Sequence, residues 1–197
     1  MKTSFVYSNI HVYRFVMNLL YKGAYRQRFA NILQMVNPGT RSICELCFGD
    51  TIVAAWCRSH GVRWTGIDFN QHLCERAQKL GFNAIQGDIL SRELPRADLY
   101  VMAGSLYHFH KDLPSLFDSI LGSTDRVFLS EPVRNLSGEP GLIGWWARRS
   151  ANPGTGHAPF RYDERSLLAA IKQQQERKGF NFRVVSSDRD LLLEIQR

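Results

Sequence analysis

The amino-acid sequence predicts an α/β protein with a doubly wound, mostly parallel seven-stranded sheet, helices on both faces and extra helices at the N-terminus. Two observations lead to this prediction. After residue 40, short apolar runs alternate with helix-like stretches, as in proteins whose parallel strands are joined by helical crossovers. The last two strand-like runs, "FNFRVVSSD" and "DLLLEIQ", lie too close together for a crossover, so they predict an antiparallel C-terminal hairpin.

The first 40 residues differ in pattern from the rest of the chain. Apolar residues recur at helical spacing from His11 to Val36, and Gly23 is expected to divide this stretch into two helices. The turn sequence "NPGT" then separates it from the first strand. We therefore expect one domain over residues 1–197, with residues 1–40 as a helical cap.

The alternating part of the chain can be assigned element by element. The strand-like runs before the hairpin are "SICELCF", "RWTGIDF", "NAIQGDI", "DLYVMAGS" and "DRVFLSEPV". The helix-like stretches are "TIVAAWCRSH", "NQHLCERAQKL", "KDLPSLFDSIL" and "ERSLLAAIKQQQERK". Gly61 and Gly81 follow the first two helices as terminating residues, and Asn70 and Asp163 are expected as N-caps.

Composition places the chain among ordinary globular proteins. Of its 197 residues 44% are hydrophobic and 22% charged, and this length can bury a substantial core. The nearest candidate for a membrane span, Phe15–Tyr21, is far too short, and no signal-peptide pattern is found at the N-terminus. We therefore expect a cytoplasmic protein without a transmembrane segment.

The formal net charge of +7 is unevenly distributed. No acidic residue precedes Glu45, whereas that stretch contains several basic residues: Lys2, Arg14, Lys22, Arg26, Arg28 and Arg41. Such a face attracts nucleic acid, anionic lipid, a carrier protein or a phosphate-bearing substrate. It is equally compatible with a solvated surface that has no partner.

The four cysteines do not predict a metal site. Cys44 and Cys47 form a CxxC pattern, but their odd separation places them on opposite faces of a strand. Cys57 and Cys74 lack partners at zinc-ligand spacing. We interpret all four as reduced thiols.

Polar residues and a glycine gather where the strands end, and ligands of a doubly wound sheet bind there. Gly49 allows close approach of the backbone to a ligand, and Asp68 is spaced to accept both hydroxyls of a ribose. Asp88 can accept a hydrogen bond from an adenine amino group. Phe69 and Ile89, beside these acids, would then sandwich the adenine ring.

The motifs "CELCFGD", "GIDF" and "QGDI" together resemble the class I S-adenosylmethionine-dependent methyltransferases, over roughly residues 41–197. The resemblance implies that Glu45 and Gly49 lie near the methionine moiety, that Asp68 holds the ribose and that Asp88 meets the adenine. Cys47 and Thr51 stand where that family has its outer glycines, and Cys47 is interpreted as a wall of the pocket. The cofactor residues expected in this way are Glu45, Cys47, Gly49, Asp68, Phe69, Asp88, Ile89, Ser105 and Tyr25.

The nearest competing interpretation is a dinucleotide-binding oxidoreductase. Such a fold needs GxGxxG, with a pyrophosphate resting on the helix N-terminus. The sequence "CFGDTI" does not supply this motif, and Asp50 would place a negative charge beside the pyrophosphate.

The catalytic residues are expected just after the fourth strand, in "SLYHFH". His108 is the candidate general base for a hydroxyl or carbon acid, and Tyr107 is the candidate for orienting the acceptor. The alternative for His108 is a structural hydrogen bond under the loop. The Asp/Asn-Pro-Pro-Tyr signature typical of family members that methylate base amines is replaced by "AGSLYHF", which resembles small-molecule members.

Residues 134–162 form a long segment interpreted as a lid over the acceptor. Its candidate substrate-binding residues are Trp145, Trp146, Arg149 and His157, although the tryptophans could instead pack the segment onto the domain. In the N-terminal helices, Tyr21, Tyr25 and Arg28 are candidates to close the pocket or meet the methionine carboxylate.

These residues predict methyl transfer from S-adenosylmethionine to a small, apolar or aromatic acceptor, free or linked to a carrier or lipid. Two alternatives stay open. The basic N-terminus favours an RNA methyltransferase, and the missing outer glycines favour a non-catalytic scaffold that binds the cofactor and serves a partner protein.

Overall fold

The structure of the chain is a computed structural model that describes residues 10–21, 23–134 and 160–197. The helices are α1 (Ile10–Leu20), α2 (Tyr25–Leu33), α3 (Ile52–Ser59), α4 (Gln71–Lys79), α5 (Leu113–Leu121) and α6 (Glu164–Lys178). The strands are β1 (Ser42–Leu46), β2 (Arg63–Asp68), β3 (Asn83–Gln86), β4 (Leu99–Ala103), β5 (Arg126–Pro132), β6 (Asn181–Ser187) and β7 (Asp190–Gln196). A 3₁₀ turn covers Leu106–Phe109. Within this part of the chain, no helix has the length and apolar character needed to cross a bilayer.

The strands form one seven-stranded sheet in the order β3-β2-β1-β4-β5-β7-β6. Strands β1 to β5 pair in parallel, and β7 is antiparallel to both of its neighbours, β5 and β6. The predicted mostly parallel sheet with a C-terminal antiparallel hairpin is therefore confirmed. The strand order reverses between β1 and β4, and a doubly wound sheet opens its ligand crevice at that point.

Successive side chains along each strand point to opposite faces of the sheet, so a hydrophobic core forms on each face. In β1, Ile43 faces one core while Cys44 and Leu46 face the other. The first core contains α2, α3 and α4, with Ile32, Phe29, Val53, Ala54, Cys57, Leu73 and Ala77. The second contains α5 and α6, with Leu116, Phe117, Ile120, Leu167 and Ile171. Helices thus cover both faces, as the sequence predicts.

The predicted helix boundaries are present in the structure. Asn70 caps α4 by accepting hydrogen bonds from the backbone N–H groups of His72 and Leu73. Asp163 and Ser166 form a reciprocal capping box at the start of α6. Gly23, at φ +87°, separates α1 from α2 as expected, because few residues other than glycine adopt this conformation.

Two ion pairs join the N-terminal helices to the strand-bearing part of the chain. Arg14 of α1 donates from Nε and Nη2 to the buried Asp50 carboxylate, over 2.7 and 2.9 Å. Arg28 of α2 is itself buried, and its Nε lies 2.8 Å from Oδ2 of Asp190 in β7. The α1–α2 pair is thus held at the edge where β1, β5 and β7 present their polar residues.

Candidate functional site

The turn after β1 has an unusual backbone. Cys47 lies at φ +53° and Gly49 at φ +56°, both in the left-handed region. The backbone N–H of Cys47 donates to the Ile67 carbonyl over 2.7 Å, which ties the turn to β2. Gly49 adopts its angle without steric cost, but Cys47 carries a side chain in a conformation that disfavours one.

We predict that the Cys47 position tolerates glycine and rejects branched residues. Cys47→Val should lower the free energy of unfolding by about 1–2 kcal/mol, because a β-branched residue is strained at positive φ. Cys47→Gly is the matched control and should stay within about 1 kcal/mol of the parent, since relieved strain offsets lost side-chain contacts. Denaturant titration measures both values, and a Cys47→Val protein as stable as Cys47→Gly would show that the turn is unstrained.

Asp68 joins the turns that follow β1 and β2. Its Oδ1 accepts the backbone N–H of Asn70 over 2.8 Å, and its Oδ2 accepts that of Gly49 over 3.4 Å. Burial raises the pKa of Asp68, and the two N–H groups partly oppose this effect. The second contact is long, so this oxygen is free to take a stronger donor offered by a ligand.

Glu45 of β1 lies on the face of the sheet covered by α3 and α4, where it contacts Trp64. It is buried, and its Oε2 accepts a hydrogen bond from Trp64 Nε1 over 2.9 Å. Burial raises the pKa of Glu45 well above its ordinary value. The indole reaches the carboxylate by crossing Gly66, where a Cβ would lie 2.2 Å from the Trp64 ring. One Glu45 oxygen is thus occupied by a structural partner, and its expected role toward methionine stays a prediction.

The three residues expected around an adenine occupy different environments. Asp88 is exposed and accepts hydrogen bonds from the Leu90 N–H and the Ser91 hydroxyl, each over 3.0 Å. Phe69 is 60% exposed at the end of β2, whereas Ile89 is only 2% exposed and packs in the core beside α5 and α6. Phe69 therefore offers a free ring face, while Ile89 contributes the edge of a buried cluster.

The segment after β4 places polar groups beside the β1 turn. Gly104 lies at φ +74°, and the Arg28 guanidinium fills the space where its side chain would be. Ser105 is buried and forms a hydrogen bond to Cys47. Burial raises the pKa of the Cys47 thiol, so it is protonated and serves as a small, weakly polar wall.

Glu131, at the end of β5, is a site residue that the sequence analysis did not select. It is completely buried, and its Oε2 accepts the Leu106 N–H over 3.0 Å. Its Oε1 is buried without a hydrogen-bond partner among the described residues. Burial raises the pKa of Glu131 to about 7, with the Arg28 charge opposing the shift. The only signal in the sequence was an acid at a strand end in "SEPV".

Tyr107 and His108 lie together in the 3₁₀ turn, with ring centroids 3.9 Å apart. The Arg161 guanidinium, just before α6, stacks on Tyr107 with its Cζ 3.5 Å from the ring centroid. His108 is exposed, but desolvation by the surrounding protein and the Arg161 charge lower its pKa to about 4. His108 is therefore neutral at neutral pH. Arg161 was not selected from the sequence.

The aromatic residues of the N-terminal helices form a packed series. Tyr21 and Tyr25 are buried and meet edge to face at 5.6 Å, and Tyr25 meets Phe29 in the same way at 5.4 Å. The Tyr21 hydroxyl donates to Asp190 over 3.4 Å. Arg28 is bound to Asp190 and to the Ser130 carbonyl, so its charge is directed at β5 and β7.

The other residues considered in the sequence analysis are four residues of segment 134–162 and three cysteines. Trp145, Trp146, Arg149 and His157 lie outside the described residues. Cys44, Cys57 and Cys74 are buried thiols. In the segments 10–21, 23–134 and 160–197, no three histidine, cysteine or acidic side chains lie together in a way that could hold a metal ion.

Comparison with known proteins supports the fold through structure rather than sequence. No protein-family model matches the chain, and no curated protein matches it in sequence. The mitomycin 7-O-methyltransferase MmcR is similar in structure, with a TM-score of 0.64 and 15% identity over 98% of this chain. Human N-acetylserotonin methyltransferase, solved in complex with SAM, is similar with a TM-score of 0.66 and 14% identity over 98% of this chain. A SAM-dependent methyltransferase from Archaeoglobus fulgidus is similar with a TM-score of 0.67 and 11% identity over 94% of this chain.

These similarities differ in how much of each relative they cover. This chain spans 59% of MmcR and 57% of the human enzyme, whereas it spans 99% of the archaeal protein. The chain therefore has the class I SAM-dependent methyltransferase fold, and the two longer proteins extend beyond the region it matches.

Proposed function

We propose that this protein transfers a methyl group from S-adenosylmethionine to a small acceptor that is aromatic or otherwise apolar, either free or held on a carrier. One observation supports this function above the others. The left-handed turn at Gly49, the Asp68 carboxylate and the Tyr107–His108 turn meet at the carboxyl ends of β1, β2 and β4. In a sheet of this order, that edge is the ligand crevice.

The residues at this edge fit the cofactor. Asp68 offers a carboxylate suited to two ribose hydroxyls, and its weak contact with Gly49 can be given up when a better donor arrives. Gly49 presents a backbone without a side chain, and the exposed Phe69 ring can cover an adenine. When bound, S-adenosylmethionine supplies a methyl group on a positively charged sulfur, and this sulfur leaves as a neutral thioether when a nucleophile bonds to the methyl carbon.

On the acceptor side, His108 can take the proton that an acceptor hydroxyl loses. The lowered pKa, about 4, keeps its ring neutral, so a nitrogen lone pair is available at neutral pH. The proton passes from the acceptor oxygen to this nitrogen as the oxygen gains the methyl group and becomes more acidic. Tyr107, fixed under the Arg161 guanidinium, lies beside the reacting oxygen and limits its position.

The charge pattern favours a small acceptor over RNA. Two of the N-terminal cations that suggested a nucleic-acid surface, Arg14 and Arg28, form ion pairs with Asp50 and Asp190. An arginine paired in this way has little charge left to neutralise a phosphate. MmcR is by its name a 7-O-methyltransferase of mitomycin, a small molecule, which agrees with the proposed acceptor class.

Calorimetric titration with S-adenosylmethionine and S-adenosylhomocysteine tests the cofactor directly. We expect Asp68→Ala to weaken binding of both by more than about tenfold, because the ribose loses charge-assisted hydrogen bonds. The matched control is Asp125→Ala, which removes an exposed carboxylate just before β5, at the opposite end of the sheet.

The outcomes of this titration separate the alternatives. Unchanged affinity in a folded Asp68→Ala protein would contradict the placement of the ribose. Binding of NADH in place of either sulfur compound would support the oxidoreductase interpretation. Tight cofactor binding without turnover of any acceptor, together with a stable protein partner, would support the scaffold interpretation.

A further inference from the structure

Arg161 is held rigidly at the acceptor side of the crevice. Its guanidinium lies 3.5 Å from the Tyr107 ring centroid, close enough for a cation–π contact. Tyr107 in turn lies against His108, the residue proposed to take the acceptor's proton. The Arg161 guanidinium therefore lies beside the position proposed for the reacting acceptor.

One nitrogen of this guanidinium has no hydrogen-bond partner among the described residues. Arg161 Nη1 is buried, yet it makes no hydrogen bond to any of these residues. A buried charged donor without a partner is costly, so such groups in native structures usually serve a ligand or an ion. The face of the Tyr107 ring offers no lone pair, and the contact between Arg161 and the Tyr107 hydroxyl leaves Nη1 without a hydrogen bond.

Aromatic residues flank Arg161 on both sides in the chain. Phe160 stacks on His110 at a centroid distance of 4.2 Å and meets Tyr162 edge to face at 4.7 Å. Phe160 is 40% exposed, so part of its ring is open to a ligand. Segment 160–162 thus carries a cation and, directly before it in the chain, a partly exposed aromatic ring.

We propose that Arg161 binds an acidic group on the acceptor, so that the substrate is an aromatic or similarly apolar molecule carrying a carboxylate or a phosphate. This inference rests on the proposed function, because it names the substrate class of the same crevice. Arginine keeps its charge at all physiological pH values and matches both anions through paired N–H donors. A neutral acceptor would leave the buried donor with at most a weaker, uncharged partner.

The test compares three probes that share one ring: benzoate, phenyl phosphate and benzamide. Benzamide matches benzoate in shape but has no charge. Each probe is titrated into the protein by ligand-observed NMR, with and without S-adenosylhomocysteine. We expect at least one acidic probe to bind about tenfold or more tightly than benzamide, and the stronger of the two identifies the preferred anion.

Three variants assign this preference to Arg161. Arg161→Gln should abolish it, and Arg161→Lys should retain part of it, because lysine keeps the charge without the planar donor pair. Arg165→Gln is the matched control, since it removes an equal charge from an exposed position in the first turn of α6. This control should leave the preference unchanged.

The inference is overturned if no acidic probe binds, if benzamide binds equally well, or if the preference survives in Arg161→Gln. A failure to bind S-adenosylhomocysteine would count against the proposed cofactor alone, since the anion preference is also measured without it. If Arg161→Gln does not fold, the wild-type comparison and Arg161→Lys still decide the question.

Discussion

We expect His108→Ala to lower turnover of a hydroxyl acceptor by about 10²–10⁴-fold, the range typical for loss of a general base. The affinity for S-adenosylmethionine should stay unchanged, since His108 lies on the acceptor side, after β4. His72→Ala is the matched control, because it removes an exposed histidine in the first turn of α4. Turnover and cofactor titration on the same preparations separate an effect on chemistry from an effect on binding.

The pH dependence of turnover adds a sharper test of His108. Its pKa is lowered to about 4, so the neutral, proton-accepting form prevails above that value and is lost as pH falls through it. We therefore expect an acidic limb of the turnover profile near pH 4, well below that of an ordinary histidine. Arg161→Gln should move this limb upward, because a charge that opposes protonation of His108 is removed.

Two outcomes would contradict this assignment. If turnover survives in His108→Ala, the acceptor needs no base or takes another one. If an acidic limb near pH 7 persists in His108→Ala, the group that must be ionised is Glu131, whose pKa is raised to about 7. The second outcome would transfer the proton-accepting role to the end of β5.

We expect Gly66→Ala to be among the most destabilising single substitutions in the sheet. The new Cβ would lie 2.2 and 2.4 Å from two carbons of the Trp64 ring and 2.7 Å from Phe48 Cδ1. The indole would have to move, and its hydrogen bond to the buried Glu45 would be lost. Overpacking and an unpartnered carboxyl group together should cost roughly 2–5 kcal/mol of unfolding free energy.

Gly39→Ala is the control for this substitution. Gly39 lies in the turn before β1, and no atom stands within 4 Å of its would-be Cβ. The free energy of unfolding of the Gly39→Ala protein should differ from that of the parent by less than about 0.5 kcal/mol. Chemical denaturation of both variants measures the difference. A Gly66→Ala protein as stable as Gly39→Ala would mean that Trp64 can repack without cost.

The succession of strands and helices along the chain and the C-terminal hairpin could be predicted from the sequence because they depend on local patterns. Each strand carries its own apolar run, and each helix its own terminating residue, such as Gly81 after α4. The short connection between β6 and β7 allows only an antiparallel pair. Asp68 and Gly49 could be selected for the same reason, since their positions follow directly from where β1 and β2 end.

The partners of buried polar groups could not be predicted, because they are set by residues far apart in the chain. The sequence predicts that Glu45 faces a ligand, yet Trp64 of the neighbouring strand reaches its carboxylate across Gly66. Glu131 receives the N–H of Leu106, which follows a different strand. Only the assembled sheet places these groups side by side.

The hydrogen bond between Tyr21 and Asp190 joins residues 169 positions apart. During synthesis, α1 and α2 emerge well before β7, which the turn between these helices contacts through this bond. At a synthesis rate of 5–20 residues per second, the N-terminal helices must wait roughly 10–30 seconds for that partner. Their aromatic residues, buried in the folded protein, are exposed in the meantime, so the nascent chain is most open to chaperones, or to aggregation, until β7 has been synthesised.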